Sequence, residues 1–329
     1  MQPDLAISIV VAKVIETDLF DVVLSHLNAQ TIAPNVELII LVEDQAGRQE
    51  TIAHSDLGNV GRVTYLVVGP IEDYERAYVH GYRAAQAPVV AHVEDHAFPA
   101  PDWAEAIVEA HAGDWAAVGT PMANANPATI WSWATLLPSY GYWVKPNHFG
   151  QTDRLMRLNV SYKRDLVLGY GDELDRLFGR GGDLQERLQA DGGKFYLTDR
   201  SSIAHLNPSR FFPAFDLLVK AGRLYASGQA ARKGWAFPIR FIAALCTPLF
   251  PVVRFVRRHK KMSGGGLFEG QRTKLYVAFY VGLAIRALGN AMGYLLGPGR
   301  ALEALALSDM KRFHQITPRD YEQLKRLHG

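Results

Sequence analysis

Ala6–Val11 is an apolar run, interrupted only by Ser8 and rich in β-branched residues. A short run that is apolar at consecutive and not merely alternate positions predicts a strand buried on both faces, as in a parallel sheet. From Asp18 to Gln30 the apolar residues Leu19, Val22, Val23 and Leu27 recur at helical spacing. Val36–Val42 reads as a second strand running into Glu43 and Asp44, Val63–Val68 as a third, Tyr74–Ala87 as a second helix, and Val89–Val93 as a fourth strand. This β-α-β-β-α-β order predicts an α/β domain, a mainly parallel sheet with helices on both faces. Asp102–Ala112 continues as helix, Trp115–Gly119 and Leu158–Lys163 as strands, Gly182–Asp191 as a short helix, and Lys194–Thr198 and Ser202–Ala204 as strands. Pro121–Gly150 shows no clear period; it reads as loop-rich and aromatic, with Trp131, Trp133, Tyr140, Tyr142, Trp143 and Phe149.

After residue 212 the pattern changes, which predicts a domain over 1–212 and a C-terminal helical region over 213–329. Ala214–Lys233 is helical and basic. Phe237–Val256 is apolar but carries Arg240, Pro248, Pro251 and Arg254; Tyr276–Leu296 is apolar but carries Arg286 and Asn290. Neither is an uninterrupted apolar stretch of about 20 residues, the length a bilayer span needs. Gly264–Gly266 reads as a flexible link between them. Arg257, Arg258, Lys260 and Lys261 follow the first segment closely. Apolar helices beside clustered cations suit a monotopic helix pair lying on an anionic membrane surface. The competing reading is the core of a helical subdomain.

Charge and composition narrow the class. A formal net charge of +2 on 329 residues argues against a dedicated nucleic-acid binder, and 48% hydrophobic with 21% charged residues describes a folded chain. The one cysteine, Cys246, excludes an internal disulfide and a cysteine-rich zinc site. Its apolar neighbours predict a buried filler. The N-terminus has no basic n-region, so the expectation is no signal peptide and a reducing, cytoplasmic setting. The first strand leads into AKVIETD instead of G-x-G-x-x-G, which speaks against a dinucleotide-binding domain.

The candidate chemistry lies at the end of the fourth strand, where Val93 gives way to Glu94, Asp95 and His96. In open α/β sheets, ligands bind at the carboxyl ends of the strands. Two carboxylates and an imidazole there can hold a divalent cation against a phosphate. A solvated acidic loop is the alternative for the triplet taken alone.

Several segments, in order, resemble a family 2 glycosyltransferase with the GT-A fold, of a membrane-associated bacterial type. SIVVAK and LSHLNAQT are similar to the first strand and its L-x-S-L-x-x-Q helix. VELIILVEDQ resembles the second strand with its base- and ribose-reading carboxylates. ERAYVHGYRAAQAPVVAHVEDH resembles the A-R-N-x-G-x-x-x-A helix and the strand carrying the D-x-D metal motif. LNVSYKRDL resembles an N-x-x-x-R-R segment. GGDLQERLQADGGKFYLTDRSSIAH resembles the acceptor-side E-D-x-x-L-x-x-R-L helix and a strand ending in histidine. The likeness covers roughly the first two thirds, and the last third is similar to the tails of membrane-associated members.

The resemblance implies transfer of a sugar from a UDP- or GDP-linked donor to a lipid-linked or polysaccharide acceptor. Inversion is expected, at the cytoplasmic face of the inner membrane. It places the donor against Ala12, Glu43, Asp44, Arg76, Glu94 and Asp95, with Glu94 toward the ribose. Asp95, His96 and His205 are the expected ligands of Mn2+ or Mg2+. Mn2+ tolerates an imidazole ligand better than Mg2+ does. Trp131, Trp133, Asn159 and Arg164 fall on the acceptor side, where the tryptophans would stack on sugar or form a packed core. The usual E-D pair aligns with Arg180 and Gly181, so the base is expected at Asp183 or Glu186, the nearest carboxylates; Asp183 also suits a plain helix N-cap. Tyr78 stands where the helix motif has its arginine, with Arg76 just before. These departures keep open a second function, a catalytically degenerate scaffold or polysaccharide-binding partner.

Overall fold

The computed structural model describes residues 4–14, 17–71, 73–144, 149–178, 183–262, 270–301, 304–305 and 312–328. The chain divides into two compact units. The first comprises Met1–Ala123, His148–His205 and Leu324–Gly329; the second comprises Asn124–Asn147 and Leu206–Gln323.

The first unit opens with β1 (Ile7–Ala12), α1 (Thr17–Asn28), β2 (Val36–Val42), α2 (Gln45–His54), β3 (Arg62–Val67), α3 (Tyr74–Ala84) and β4 (Val89–Val93). β5 (Ala97–Pro99), α4 (Trp103–His111), β6 (Ala117–Gly119) and β7 (Met122–Asn124) follow, and β7 carries the chain into the second unit. Later come β8 (Gly150–Thr152), β9 (Val160–Lys163), α6 (Arg164–Leu168), α7 (Glu173–Phe178), α8 (Leu184–Ala190), β10 (Phe195–Leu197) and β11 (Ile203–His205). The main sheet runs β3-β2-β1-β4-β9-β6-β10-β8. β1 pairs in parallel with β2 and with β4, and β2 with β3, while β9 enters antiparallel between β4 and β6. A three-stranded sheet has the order β5-β11-β7.

Every residue of β1, β2 and β4 is buried, which requires cover on both faces of the sheet. The mainly parallel α/β sheet expected from the apolar runs is therefore present. α3 lies close on β1 because Gly81 has no side chain: a Cβ there would come within 2.3 Å of Val10 Cγ1. α2 has no counterpart in the sequence reading, which passed from the second strand straight to the third. Thr51 is its one buried residue, so it has almost no apolar stripe to betray it.

The second unit contains α5 (Ile130–Tyr140), α9 (Phe211–Arg232), α10 (Phe237–Leu245), α11 (Phe250–Met262) and α12 (Arg272–Leu296). α5 lies in the stretch expected to be loop-rich. Thr129 Oγ1 accepts from Ser132 N and caps it, and Pro138 sits near its end, which masks the helical signal in the sequence. α12 packs backbone to backbone on its neighbours. A Cβ on Gly289 would lie 2.0 Å from Val219 O, one on Gly293 2.2 Å from Arg223 O, and one on Gly282 2.1 Å from Ala134 O. Arg223 and Arg240 donate to Gly297 O (2.8 Å) and Tyr294 O (2.6 Å) at the carboxyl end of α12. By length and composition α12 is long and apolar enough to cross a membrane, and 50% of its most apolar stretch is buried. Cys246 is exposed, not buried as its apolar neighbours suggested, because α10 turns much of its apolar face outward. Gly264–Gly266 lies outside the described residues.

Two outcomes follow for stability. Gly289→Ala should destabilise the protein by about 1–3 kcal/mol through overpacking against backbone that cannot retreat. Gly228→Ala in α9, whose Cβ would meet only Arg232 Nη1 at 3.5 Å, should be neutral or mildly stabilising. Urea midpoints of the two variants check this. The second outcome concerns pH. Burial lowers the imidazoles of His92 and His111 to about 4; the Lys163 charge adds to the effect at His111. Both stay neutral when folded but bind a proton near pH 6.5 when unfolded. Their contribution is thus intact above pH 6.5 and is lost as the pH falls toward 4. The loss should reach about 2 kcal/mol for each by pH 5. His111→Asn should remove about half of that pH dependence.

Candidate active site

The connection from β1 leads to β2 on one side, while β4 lies on the other side of β1. The order of the strands thus reverses between β1 and β4, and in open α/β sheets the crevice at such a point takes the ligand. Ala12 ends β1 at this edge, and Glu94, Asp95 and His96 form the turn between β4 and β5. Val14 N donates to Asp95 Oδ2 at 3.1 Å and ties the two strand ends together.

β11 pairs antiparallel with β5, in a register that sets His205 opposite Ala97. This delivers His205 to the turn. His205 Nε2 lies 3.6 Å from Glu94 Oε2, and His96 Nε2 lies 3.8 Å from Glu94 Oε1. The two imidazoles meet edge to face, with centroids 4.7 Å apart. One ligand atom from each of Glu94, His96 and His205 falls within 4.8 Å of the others, and all three residues are buried. Asp95 stands beside this group, its Oδ1 2.7 Å from His96 Nδ1. The sequence reading grouped Asp95 with the two histidines and turned Glu94 toward the ribose; the side chains that converge here are those of Glu94, His96 and His205.

Asn159 is the residue just before β9. Because β9 runs antiparallel to β4, with His92 opposite Val160, its start lies at the carboxyl end of β4. Asn159 Nδ2 donates to Glu94 Oε2 at 2.6 Å, and its Oδ1 accepts from Glu94 N at 2.9 Å. Its φ of 58° makes it the one non-glycine residue with positive φ among those described. Asn tolerates that region better than most residues. Beneath the turn, His92 bridges Tyr82 Oη (2.8 Å) and Arg157 O (2.9 Å) and stacks on Tyr78 at 4.6 Å. Arg164 lies at the opposite end of β9, where its Nε donates to Ala85 O at 2.7 Å.

A cavity of about 390 Å³ is lined by Asp183 and Glu186 together with Glu75, Arg154, Arg157 and Gln185, among others. Asp183 takes the N-cap position of α8 without a capping hydrogen bond from its side chain, so its carboxylate is not consumed by the helix. Arg157 pairs with Glu75 at 2.5 Å, and Gln185 Nε2 donates to Met156 O at 2.7 Å. The sequence reading did not single out Glu75, Arg154, Arg157 or Gln185, which come from three separate segments with no motif spacing. Arg180 and Gly181 lie outside the described residues.

The remaining candidates scatter. Glu43 Oε1 accepts from Ile71 N at 2.8 Å, and Asp44 caps α2 through Gly47 N at 2.8 Å; both are exposed near the end of β2. Arg76 is exposed on the first turn of α3. Trp131 and Trp133 belong to the second unit. There Trp133 is buried and donates to Pro127 O at 3.0 Å, and Trp131 packs on Phe211 with centroids 4.8 Å apart.

No protein-family model matches the chain. No curated protein sequence matches it either. Among solved structures it is similar to the mannosyltransferase PcManGT from Pyrobaculum calidifontis, in complex with GDP-Man and Mn2+. The two share 15% sequence identity over 87% of this chain and 86% of that one, with a TM-score of 0.52. At this identity the likeness establishes a shared fold: this chain has the mixed α/β fold of that glycosyltransferase.

Proposed function

We propose that this protein is a metal-dependent glycosyltransferase that uses a nucleotide-sugar donor of the UDP- or GDP-linked kind. The observation that carries this reading is the convergence of Glu94, His96 and His205 at the carboxyl edge of a sheet whose fold is shared with a GDP-Man-binding mannosyltransferase. A divalent cation held at that edge, Mn2+ or Mg2+, supplies Lewis-acid stabilisation of the charge on the departing diphosphate. Ala12, Glu43, Asp44 and Arg76 line the donor side in this reading. The assignments to family 2 and to the GT-A class belong to the same proposal, as does the division into a transferase domain over 1–212 and a helical region over 213–329.

Asp183 is the proposed general base, with Glu186 one turn further along α8. Its carboxylate takes the proton of the acceptor hydroxyl. That oxygen then bonds to the anomeric carbon as the bond to the diphosphate breaks, which inverts the configuration. A carboxylate that lines a 390 Å³ cavity and does not cap its own helix supports the assignment. Asn159, at the carboxyl edge of the sheet, belongs to the acceptor side in this reading; Arg164, at the opposite end of β9, does not.

A lipid-linked or polysaccharide acceptor at the cytoplasmic face of a membrane fits the second unit. α10 exposes Phe237 (59%), Ile242 (62%) and Leu245 (66%), and the 3-10 turn after it exposes Leu249 (62%), more apolar surface than isolated side chains explain. The cations Arg257, Arg258, Lys260 and Lys261 follow in sequence. The side chains of the last three lie outside the described residues. Arg240 and Arg254 favour the interface over a span, since a charge at a bilayer centre costs on the order of 3 kcal/mol.

Three outcomes test the proposal. Purified protein offered a donor panel should release UDP or GDP, and a chelator should abolish the release. Binding of a nucleoside diphosphate with Mn2+ but no turnover on any acceptor supports the degenerate scaffold instead. Asp183→Asn should lower turnover by about two to four decades with donor affinity unchanged; that pattern in Glu186→Gln alone moves the base by one turn. The protein should float with anionic liposomes. Replacing Arg257, Arg258, Lys260 and Lys261 by Gln should weaken binding by about 1 kcal/mol per charge. A chain that ignores liposomes removes the case for a membrane-bound acceptor.

A further inference from the structure

We propose that Glu94, His96 and His205 form a preassembled site for a divalent transition cation, which fills without any nucleotide, and that Asp95 and Asn159 are its positioning residues. The spacing is the first argument. Ligand atoms around a transition ion bonded at about 2.1 Å lie roughly 3–4.2 Å from one another. The contacts of the two imidazoles with the two oxygens of Glu94, 3.6 and 3.8 Å, fall in that range. With one ligand atom from each residue the three lie within 4.8 Å of one another, so a side-chain shift on the order of the difference, well under about 1 Å, closes the site. The side chains sit on the ends of paired strands, so little ordering remains to be done when a cation arrives.

The second argument is the outer hydrogen bonding. Asp95 Oδ1 can only accept, so His96 Nδ1 carries the proton, and the lone pair of Nε2 is left facing Glu94. Val14 N holds the other oxygen of Asp95. A carboxylate behind a ligating imidazole is the usual device for fixing its tautomer and orientation. Asp95, the central residue of the acidic triplet, thus acts through His96 in place of touching the cation. Asn159 does the same for Glu94, gripping both its backbone N–H and its carboxylate from a left-handed backbone position.

The third argument is donor chemistry. Mg2+ demands oxygen ligands in octahedral geometry and keeps its waters, so a carboxylate edge usually needs the diphosphate oxygens to complete its site. Two imidazoles and one carboxylate suit Mn2+ and the later divalent ions better, and supply three protein donors before any substrate binds. The proposal rests on the transferase reading only in where a bound diphosphate would meet the cation; its test needs no donor.

The full chain, stripped with a chelator, is titrated with Mn2+ alone, free Mn2+ being read by electron paramagnetic resonance and nitrogen couplings by its pulsed form. One Mn2+ should bind per chain with two imidazole nitrogens, and about a hundredfold excess of Mg2+ should displace little of it. His96→Ala and His205→Ala should each lose one nitrogen coupling. Asp95→Ala should weaken binding by about 10–100-fold with both nitrogens kept, and Asp95→Asn, whose Oδ1 still accepts from Nδ1, should restore most of it. Asn159→Gly keeps the backbone conformation without its amide, and should weaken binding over the same range. Mn2+ that binds only together with a nucleoside diphosphate overturns the preassembled site and leaves the transferase reading standing. Mn2+ that binds alone while no nucleotide ever does leaves the site and overturns that reading. Loss of all binding in both Asp95→Ala and Asp95→Asn makes Asp95 a ligand and overturns its positioning role.

Discussion

The antiparallel entry of β9 between β4 and β6 is the constraint on which the site depends. In a wholly parallel sheet the start of the strand beside β4 would lie at the amino edge, far from Glu94. Reversing it brings residue 159 to the carboxyl edge, one step from the end of β4. The chain must turn sharply there to enter the sheet, and the left-handed φ of Asn159 accomplishes that turn. The same backbone position aims the amide of Asn159 at Glu94. Sheet topology, turn geometry and the orientation of a carboxylate are thus one event. The buried bridge from Tyr82 through His92 to Arg157 O fixes the segment just upstream, so the approach to the turn is held as firmly as the turn itself.

Much of the first unit was legible because its strands are buried on both faces. Ala6–Val11, Val36–Val42 and Val89–Val93 have no polar position to break the run except Ser8, Glu37 and His92. Each of those three is satisfied internally, Ser8 by Glu37 at 2.5 Å and His92 by its two partners. The acidic triplet could be read as a strand end for the same reason. His205 could be read as a strand terminus, but its proximity to Glu94 could not, because that depends on the pairing of β11 with β5 across more than a hundred residues.

The rest was hidden for identifiable physical reasons. α2 is polar nearly all round, and α5 carries a proline and tryptophans that mimic an irregular aromatic loop. The grip of Asn159 on Glu94 was not legible, because nothing local reveals a hydrogen bond spanning 65 residues. The cavity around Asp183 draws its arginines from a segment with no periodicity. Cys246 misled because apolar neighbours imply burial only when something covers them, and α10 leaves Ile242 and Leu245 uncovered.

That exposed thiol has a practical meaning of its own. It is the sole cysteine of the chain, and it sits at the bend between α10 and the short 3-10 turn Thr247–Leu249, amid the apolar surface of that helix. It is a unique attachment handle on the surface that the membrane proposal sets against lipid. A polarity-sensitive dye or a spin label joined there would report in the wild-type chain whether that surface enters lipid, with no engineered residue to disturb the helices around it.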